Sequence, residues 1–226
     1  MFERLEILIG KKALQAIKKQ KILLIGLGGV GSYALEALIR NGFSNITVID
    51  YDKIDITNLN RQLITTSKNI GTSKVIAAIL RAKEINPDIK IDGQDMRLTT
   101  ENIDMILKLD YDYIIDACDS LEVKFALMEK SLHYRYKLIS CMGTAKKLNP
   151  QKLEITTLEK TYNDPIARIL RKKIRDAKIN KKFYVVSSSE LPKEIDKLGT
   201  ANLVPSVAGI LCVSYIIDDI LKSNQK

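Results

Sequence analysis

The chain has 226 residues, of which 46% are hydrophobic and 28% are charged. This composition excludes a disordered or collagen-like chain and provides enough apolar material for a large core. Lysine and arginine outnumber aspartate and glutamate by 36 to 27, and the net charge of +9 favours polyanionic partners. The first residues carry acidic side chains where a signal peptide needs a basic segment and then an apolar run, so we expect a cytoplasmic protein that binds no membrane.

Short apolar strands alternate with helical segments along the first 150 residues. One helix runs from the glycine-rich turn after residue 25 to about residue 41, where Gly42 is a natural stop. This alternation predicts an α/β fold: a Rossmann-like, doubly wound, mostly parallel sheet with helices on both faces. Strands are predicted at 21–25, 46–49, 89–91, 113–116 and 137–140, and the other helices at 2–19, 72–85, 100–108 and 121–135.

The pattern changes after Pro150. A helix is predicted to start at Asp164-Pro165, where a capping side chain precedes a proline at the first helical position. The long uncharged stretch after residue 197 contains glycine, proline and polar residues, so a buried helix opening at Pro205 is favoured over a membrane span. Strands are predicted at 152–157 and 183–187, with a loop at 188–200.

No linker is visible in the sequence. We therefore expect a single domain over residues 1–226, with an elaborated C-terminal half. Residues 1–150 would form a nucleotide-binding core, and residues 151–226 a C-terminal extension that carries a basic helix.

A glycine loop lies between the first predicted strand and the following helix. Gly26, Gly28 and Gly31 satisfy the G-x-G-x-x-G pattern, in which backbone N–H groups and a helix N-terminus approach phosphates closely. Asp50 ends the next strand, where a carboxylate can accept hydrogen bonds from a ribose. The loop alone favours NAD. However, a dehydrogenase also needs a proton-handling group, and the sole histidine, His133, lies among charged neighbours in a predicted helix.

Polar residues beyond the second strand favour ATP instead. Arg61 and Lys74 can balance a triphosphate, and Asn58 or Gln62 can orient it. Asp116 and Asp119 follow the fourth strand at the same edge of the sheet, where a carboxylate beside a triphosphate commonly holds Mg²⁺. These residues suit attack on the α-phosphate of ATP better than hydride transfer.

Five motifs in this order resemble the adenylation site of the ubiquitin-activating-enzyme superfamily. They are Gly26-x-Gly-Gly-x-Gly31, Asp50-Tyr-Asp52, Thr57-Asn-Leu-Asn-Arg-Gln62, Gly71-Thr-Ser-Lys74 and Asp116-Ala-Cys-Asp119. Nearly the whole chain is similar to one bacterial branch, the tRNA threonylcarbamoyladenosine dehydratases. That closer resemblance rests on Phe2–Gly10, Met142-Gly143, Lys147–Pro150, Lys160-Thr161, Asp164-Pro165 and Val204–Gly209.

The resemblance implies a reaction and a set of roles. ATP would adenylate the carboxylate of threonylcarbamoyladenosine at tRNA position 37, beside the anticodon, and a neighbouring atom of the same nucleotide would displace AMP and close a ring. Arg4 would reach into the partner subunit's site, since this superfamily usually works as a homodimer. Gly29 would line the phosphate path, Asp50 would bind ribose, Asn58, Arg61 and Lys74 would contact phosphates, and Asp119 would hold Mg²⁺.

The sequence departs from the relatives in two places. After Gly143 we expect a small residue, glycine and asparagine, but the chain has Thr144, Ala145 and Lys146. Members that activate ubiquitin-like proteins usually carry a nucleophilic cysteine, and several bind zinc. Here Cys118, Cys141 and Cys212 form no CxxC pair and are predicted to be small core residues. A nucleophile that belongs to the substrate makes an enzyme thiol unnecessary.

The positive charge is concentrated at residues 160–182, which hold nine lysines and arginines against two aspartates. If the substrate is tRNA, this segment is expected to contact its phosphates. Three other functions stay open. The first is adenylation of the C-terminal glycine of a sulfur-carrier protein, with sulfur-transfer proteins as partners; the second is nucleotide-dependent regulation without turnover; and an NAD enzyme is the least favoured.

Overall fold

The computed structural model describes residues 1–224 and confirms the predicted α/β architecture. Seven strands form one sheet in the order β3-β2-β1-β4-β5-β7-β6, and every pair is parallel except β6 with β7. The strands are β1 (Lys21–Ile25), β2 (Asn45–Asp50), β3 (Lys90–Asp95), β4 (Tyr113–Asp116), β5 (Lys137–Cys141), β6 (Leu153–Thr157) and β7 (Tyr184–Ser188).

Residues 1–224 contain eight α-helices, which cover the two faces of this sheet except for the first, which packs on the second. The apolar run of β1 explains the layering, because its side chains alternate between two cores. Ile22 and Leu24 point into one core, while Leu23 and Ile25 point into the other. The helices are α1 (Glu3–Ile9), α2 (Lys11–Lys19), α3 (Gly31–Arg40), α4 (Lys74–Ile85), α5 (Ile103–Leu107), α6 (Leu121–Lys130), α7 (Pro165–Asp176) and α8 (Leu203–Asn224).

Several element boundaries differ from the prediction. The single helix expected over 2–19 is two helices, because Gly10 between them has a positive φ of 85° that interrupts the helical backbone. The helix expected over 121–135 ends at Lys130, and the one expected over 100–108 is limited to α5. The third strand is longer than expected and runs to Asp95. Apart from the break at Gly10, these are errors of length, and the order of the predicted helices and strands is unchanged.

The C-terminal helix α8 is the one described helix long and apolar enough to cross a membrane. It begins at Leu203, two residues before the start predicted at Pro205. A proline is tolerated in the first turn of a helix. Val204, Ala208, Cys212 and Ile216 recur at every fourth position, and all four are fully buried. The last three lie in the core that also contains α3 residues. Gly209 allows close contact, because a Cβ there would lie 2.3 Å from the Val30 carbonyl oxygen. This packing is that of a core helix.

Candidate active site

A cavity of about 440 Å³ opens at the carboxyl ends of β1, β2, β4 and β5. This is the point where successive strands leave β1 in opposite directions, the usual ligand position in an open α/β sheet. Most of the residues predicted from the sequence to bind nucleotide line this single cavity. They are Gly26, Gly28, Gly29, Asp50, Asn58, Arg61, Gln62, Lys74 and Asp119.

The glycine loop turns tightly into α3. Gly26 has a φ of +89°, and a Cβ there would lie 2.7 Å from the Ala117 carbonyl oxygen. Gly31 does not line the cavity, but it closes the turn, since its Cβ would lie 1.7 Å from the Gly26 carbonyl oxygen. The first and last glycines therefore allow backbone to pack on backbone, and the N-terminus of α3 is brought to the cavity.

Replacing Gly31 with alanine should distort this turn, because no rearrangement of a flexible side chain can relieve a clash with backbone. We expect a loss of unfolding free energy of at least about 3 kcal/mol, together with loss of nucleotide binding. Gly28→Ala is the matched control, since its Cβ would meet nothing closer than 3.9 Å. Thermal unfolding compares the two variants, and equal melting temperatures would contradict this account of the turn.

Asp50 is buried at the end of β2 and organises the loop beside it. One carboxylate oxygen accepts a hydrogen bond from the Leu27 backbone N–H at 2.6 Å, and the other accepts one from the Asp52 N–H at 2.8 Å. A carboxylate has about four acceptor positions, so both oxygens retain capacity for a ribose hydroxyl.

The basic side chains on the opposite wall are held by local partners. Lys74 begins α4 and is almost fully buried, with its Nζ 2.6 Å from an Asp52 carboxylate oxygen. Arg61 Nη1 donates to the Thr57 carbonyl at 2.6 Å, and its stem lies beside Gly29. Both cations are therefore positioned before a nucleotide arrives.

Two amides complete this wall. Asn58 ends a short 3-10 helix, Ile56–Asn58, and its Oδ1 accepts a hydrogen bond from the Asp55 N–H at 3.1 Å. The Gln62 side chain is buried, and its Oε1 has no hydrogen-bond partner in the part of the chain that the structure describes. Because a buried polar atom without a partner is costly, a hydrogen-bond donor on a ligand would stabilise this arrangement.

Asp119 is exposed at the cavity rim, and its side chain forms no hydrogen bond or ion pair with residues 1–223. Within the described part of the chain, no three His, Cys, Asp or Glu side chains are grouped to hold a metal ion. This arrangement does not suit a permanent metal cage. It does fit Mg²⁺, which usually takes one or two carboxylates and completes its coordination with phosphates and water.

Asp116 has a different environment from Asp119. It is fully buried, and its carboxylate oxygens accept hydrogen bonds from Lys124 Nζ, at 3.1 Å each, and from Ser140 Oγ at 2.7 Å. Lys124 Nζ also donates to the Cys141 carbonyl at 2.8 Å. Burial is the largest single influence and lowers the pKa of Lys124, but the charge and hydrogen bond of Asp116, together with Cys118 and Cys141, raise the pKa by more. The sequence analysis did not predict this pair.

The three cysteines are free thiols in poor environments for nucleophilic catalysis. Burial and the neighbouring Asp116 carboxylate raise the pKa of Cys118. A hydrogen bond with Cys141 and burial raise the pKa of Cys212 well above its ordinary value. Cys141 and Cys212 lie in the core, as expected, whereas Cys118 is partly buried. Both Cys118 and Cys141 line the cavity.

The segment that departs from the relatives forms another cavity wall. Thr144 and Ala145 line it together with Leu198 and Thr200. Lys146 does not line it; its Nζ instead donates to the Ile195 carbonyl at 2.5 Å. The lysine therefore anchors the loop that carries Leu198.

Two further residues at the rim were missed by the sequence analysis. The guanidinium of Arg97 lies 5.3 Å from the centre of the Tyr51 ring, and both side chains line the cavity. This contact forms a cation–π pair at the cavity mouth. Tyr51 lies inside the Asp50-Tyr-Asp52 motif, so the aromatic was visible, but its pairing with a residue beyond β3 was not.

Arg4 is not part of the cavity. It is exposed on α1, which packs through Leu5 near Gly42, at the end of α3 opposite the glycine loop. Within a single chain Arg4 is therefore remote from the other predicted site residues. A role in the site requires a second subunit and stays a prediction.

The sheet, the glycine loop and the cationic cavity define a nucleotide-binding α/β protein. More specifically, the chain belongs to the ThiF family, whose profile matches residues 2–225. A tRNA threonylcarbamoyladenosine dehydratase from Bacillus subtilis is 37% identical to it, over 98% of this chain and 94% of that protein.

A solved structure and a more distant relative complete the comparison. The tRNA N6-threonylcarbamoyladenosine dehydratase of Escherichia coli in complex with ATP superposes with a TM-score of 0.94 at 32% identity, covering 99% of this chain and 95% of that one. A sulfur carrier protein adenylyltransferase from Thermus thermophilus is 27% identical, but it matches 55% of this chain and 45% of that protein. The similarity to the dehydratases is thus the more extensive.

Proposed function

We propose that this protein is an ATP-dependent dehydratase that acts on threonylcarbamoyladenosine at position 37 of tRNA. It adenylates the carboxylate of the modified nucleotide, closes it to the cyclic form and releases AMP and pyrophosphate. The observation that carries the proposal is that Arg61, Lys74 and Asp119 line one cavity with the glycine loop. The relatives that match along the full chain bear the same activity in their names.

The first step needs a nucleotide held with its α-phosphate open to the substrate carboxylate. Asp50 accepts from the ribose, and the backbone N–H groups of the glycine loop approach the phosphates. Arg61 and Lys74 stabilise the charge that develops as pyrophosphate leaves. Mg²⁺, held by Asp119, supplies further neutralisation of the phosphates when it is bound.

The second step joins two groups of one nucleotide. An atom of the modification attacks the adenylated carbonyl carbon, a new ring bond forms, and the bond to AMP breaks. The carboxylate oxygen leaves with AMP and the nucleophile gives up a proton, so the substrate loses the elements of water. Since both groups are already tethered, no covalent enzyme intermediate is required. This agrees with the raised pKa of Cys118 and of Cys212.

We further propose a cytoplasmic homodimer in which Arg4 completes the partner subunit's cavity. The exposed position of Arg4, remote from its own cavity, supports this arrangement. Under this proposal, turnover should be lost when the dimer is dissociated by dilution. Charge-reversed Arg4→Glu should lower turnover without changing ATP affinity if the residue acts across the interface.

Calorimetric titration tests the choice of nucleotide. With Mg²⁺ present, ATP should bind and NADH should not. Arg61→Gln should weaken ATP binding about tenfold to a hundredfold, the usual effect of losing hydrogen bonds to a charged group. Arg40→Gln is the control, because this exposed arginine pairs with Glu36 on α3 and lies outside the cavity. NADH binding without an ATP signal would contradict the proposal.

The cysteines provide a test against the carrier-protein alternative. A triple variant with Cys118→Ser, Cys141→Ala and Cys212→Ala should keep turnover per folded molecule within a few-fold. Its free energy of unfolding should fall by about 2–4 kcal/mol, because two of the three substitutions remove a buried sulfur atom from the core. Steady-state kinetics and urea unfolding measure these two quantities. A folded but inactive variant would indicate a thioester or persulfide step.

A further inference from the structure

The outward face of α7 carries a row of exposed cations. Arg168, Lys172 and Arg175 are exposed and follow one another at helical spacing, and Lys178 extends the row in the turn after the helix. Among residues 1–223, the one acidic contact in this row joins Arg175 to Asp176 at 4.0 Å, and both side chains are more than half exposed. Such a pair contributes little, so the row keeps its charge.

The other side of α7 is fixed to the protein. Ala167, Leu170 and Ile174 are buried in the core on this face of the sheet. The Asp164 carboxylate caps the helix by accepting from the Ala167 N–H at 2.9 Å. The row of cations therefore sits on a rigid support.

Three basic residues of the segment 160–182 belong to that support. Arg171 Nη1 donates to the Thr161 carbonyl at 2.8 Å, Lys173 lies 5.2 Å from the centre of the Phe125 ring, and Lys181 Nζ donates to the Ser131 carbonyl at 2.7 Å. The expectation that the whole segment faces a partner is thus too broad, because these three side chains bind the protein itself.

The helix starts at the mouth of the cavity. Ile166, in its first turn, lines the cavity, and the Asp164 carboxylate accepts from the N–H of Gly143, which lines it as well. Beyond α7, Lys181 contacts Ser131 at the end of α6, whose first residues border the cavity. The helix therefore leads away from the mouth of the cavity. Its row of cations runs for roughly 10 Å along the helix axis from that end.

We propose that this face of α7, defined by Arg168, Lys172, Arg175 and Lys178, holds the phosphate backbone of the substrate RNA beside the nucleotide that enters the cavity. The inference rests on the proposed function. A regular row of cations on a rigid helix suits a chain of phosphates, which positions the substrate, while the cavity reads the modified nucleotide. Two observations support it: the four cations are exposed with a single weak ion pair among residues 1–223, and the start of the helix lines the cavity.

A quadruple variant with Arg168→Gln, Lys172→Gln, Arg175→Gln and Lys178→Gln tests this surface. Glutamine is nearly as good a helix former, and the buried face is unchanged, so the fold should survive. Binding of tRNA that carries threonylcarbamoyladenosine is measured by fluorescence anisotropy across a salt series. The slope of log affinity against log salt should flatten by about three units, and the KM for tRNA should rise while ATP affinity stays constant.

The matched control removes the same charge from the region of α2 and α4. It combines Lys11→Gln, Lys12→Gln, Lys19→Gln and Lys83→Gln, all at exposed positions outside the cavity. We expect its salt slope to stay close to that of the wild type. Equal flattening in both variants, or none in the α7 variant, would overturn the inference.

Two further readings separate the alternatives. If the α7 variant lost binding to vesicles of anionic lipid but kept the wild-type slope with tRNA, the face would be a membrane-binding surface and the inference would be wrong. Failure of the proposed function has a different signature, since the wild type would then leave the modified nucleotide unchanged at every tRNA concentration. If the wild type converts tRNA and the α7 variant behaves like the control, the inference about α7 is wrong and the proposed function still holds.

Discussion

Replacing Asp119 with alanine should lower turnover by about a hundredfold or more while leaving the fold intact. The size is that of losing one preorganised group that stabilises charge in the transition state. Because Asp119 is exposed and its side chain has no hydrogen bond or ion pair within residues 1–223, its removal takes nothing from the core. Single-turnover formation of AMP, measured with saturating tRNA and a series of Mg²⁺ concentrations, gives the effect.

Glu122→Ala is the control for this prediction. Glu122 is also exposed and lies only three residues further along the chain, but it does not line the cavity. Its replacement should leave turnover within a few-fold of the parent. If Asp119→Ala behaved in the same way, Mg²⁺ would have to be held by other groups and the role given to Asp119 would be wrong.

The largest effect on stability is expected from Lys124→Met. Methionine fills much of the same volume, but it leaves the Asp116 carboxylate fully buried without its cation. Breaking a buried pair in this way costs about 3–5 kcal/mol. For a chain of this size the melting temperature should fall by roughly 10 °C. Thermal unfolding followed by circular dichroism measures the change.

Two variants show whether the uncompensated charge is the cause. Lys130→Met removes a lysine from the same helix. Its partner Asp104 keeps 42% of its side-chain surface exposed, so this variant should change the melting temperature little. Combining Lys124→Met with Asp116→Asn should recover part of the loss, since the amide is neutral and still accepts from Ser140 Oγ. Lys124 Nζ contacts Asp116 on β4 and the Cys141 carbonyl on β5. If Lys124→Met were as stable as the parent, these contacts would not stabilise the packing of the two strands.

Local patterns were sufficient to predict the sheet and much of the cavity. The run from Lys21 to Ile25 is apolar because both of its faces are buried, and the turn from Gly26 to Gly31 follows it directly. Asp50 ends the adjacent strand, and residues that end parallel strands meet at one edge of the sheet. Local sequence patterns were therefore sufficient wherever the position of a site residue depends only on the strand that it follows or ends.

Long-range pairings could not be predicted in the same way. Asp116 looked like a candidate equal to Asp119 until its pairing with Lys124 was known, since both lie at the end of one strand. Arg171 looked like its neighbours on α7, although its guanidinium is bound to the turn at Thr161. Gly10 within an amphipathic pattern gave no sign that its φ is positive. In each case the deciding contact lies in another element or in the backbone itself.

The most direct test of the proposed activity is mass spectrometry of tRNA nucleosides. Purified tRNA carrying threonylcarbamoyladenosine is incubated with this protein, ATP and Mg²⁺, then digested to nucleosides under mild conditions. The proposal predicts a product lighter by one water, formed in step with AMP and pyrophosphate. The product should be absent when ATP is omitted and should form about a hundredfold or more slowly with Asp119→Ala. If folded protein that binds ATP left the nucleoside unchanged, the proposal would be contradicted.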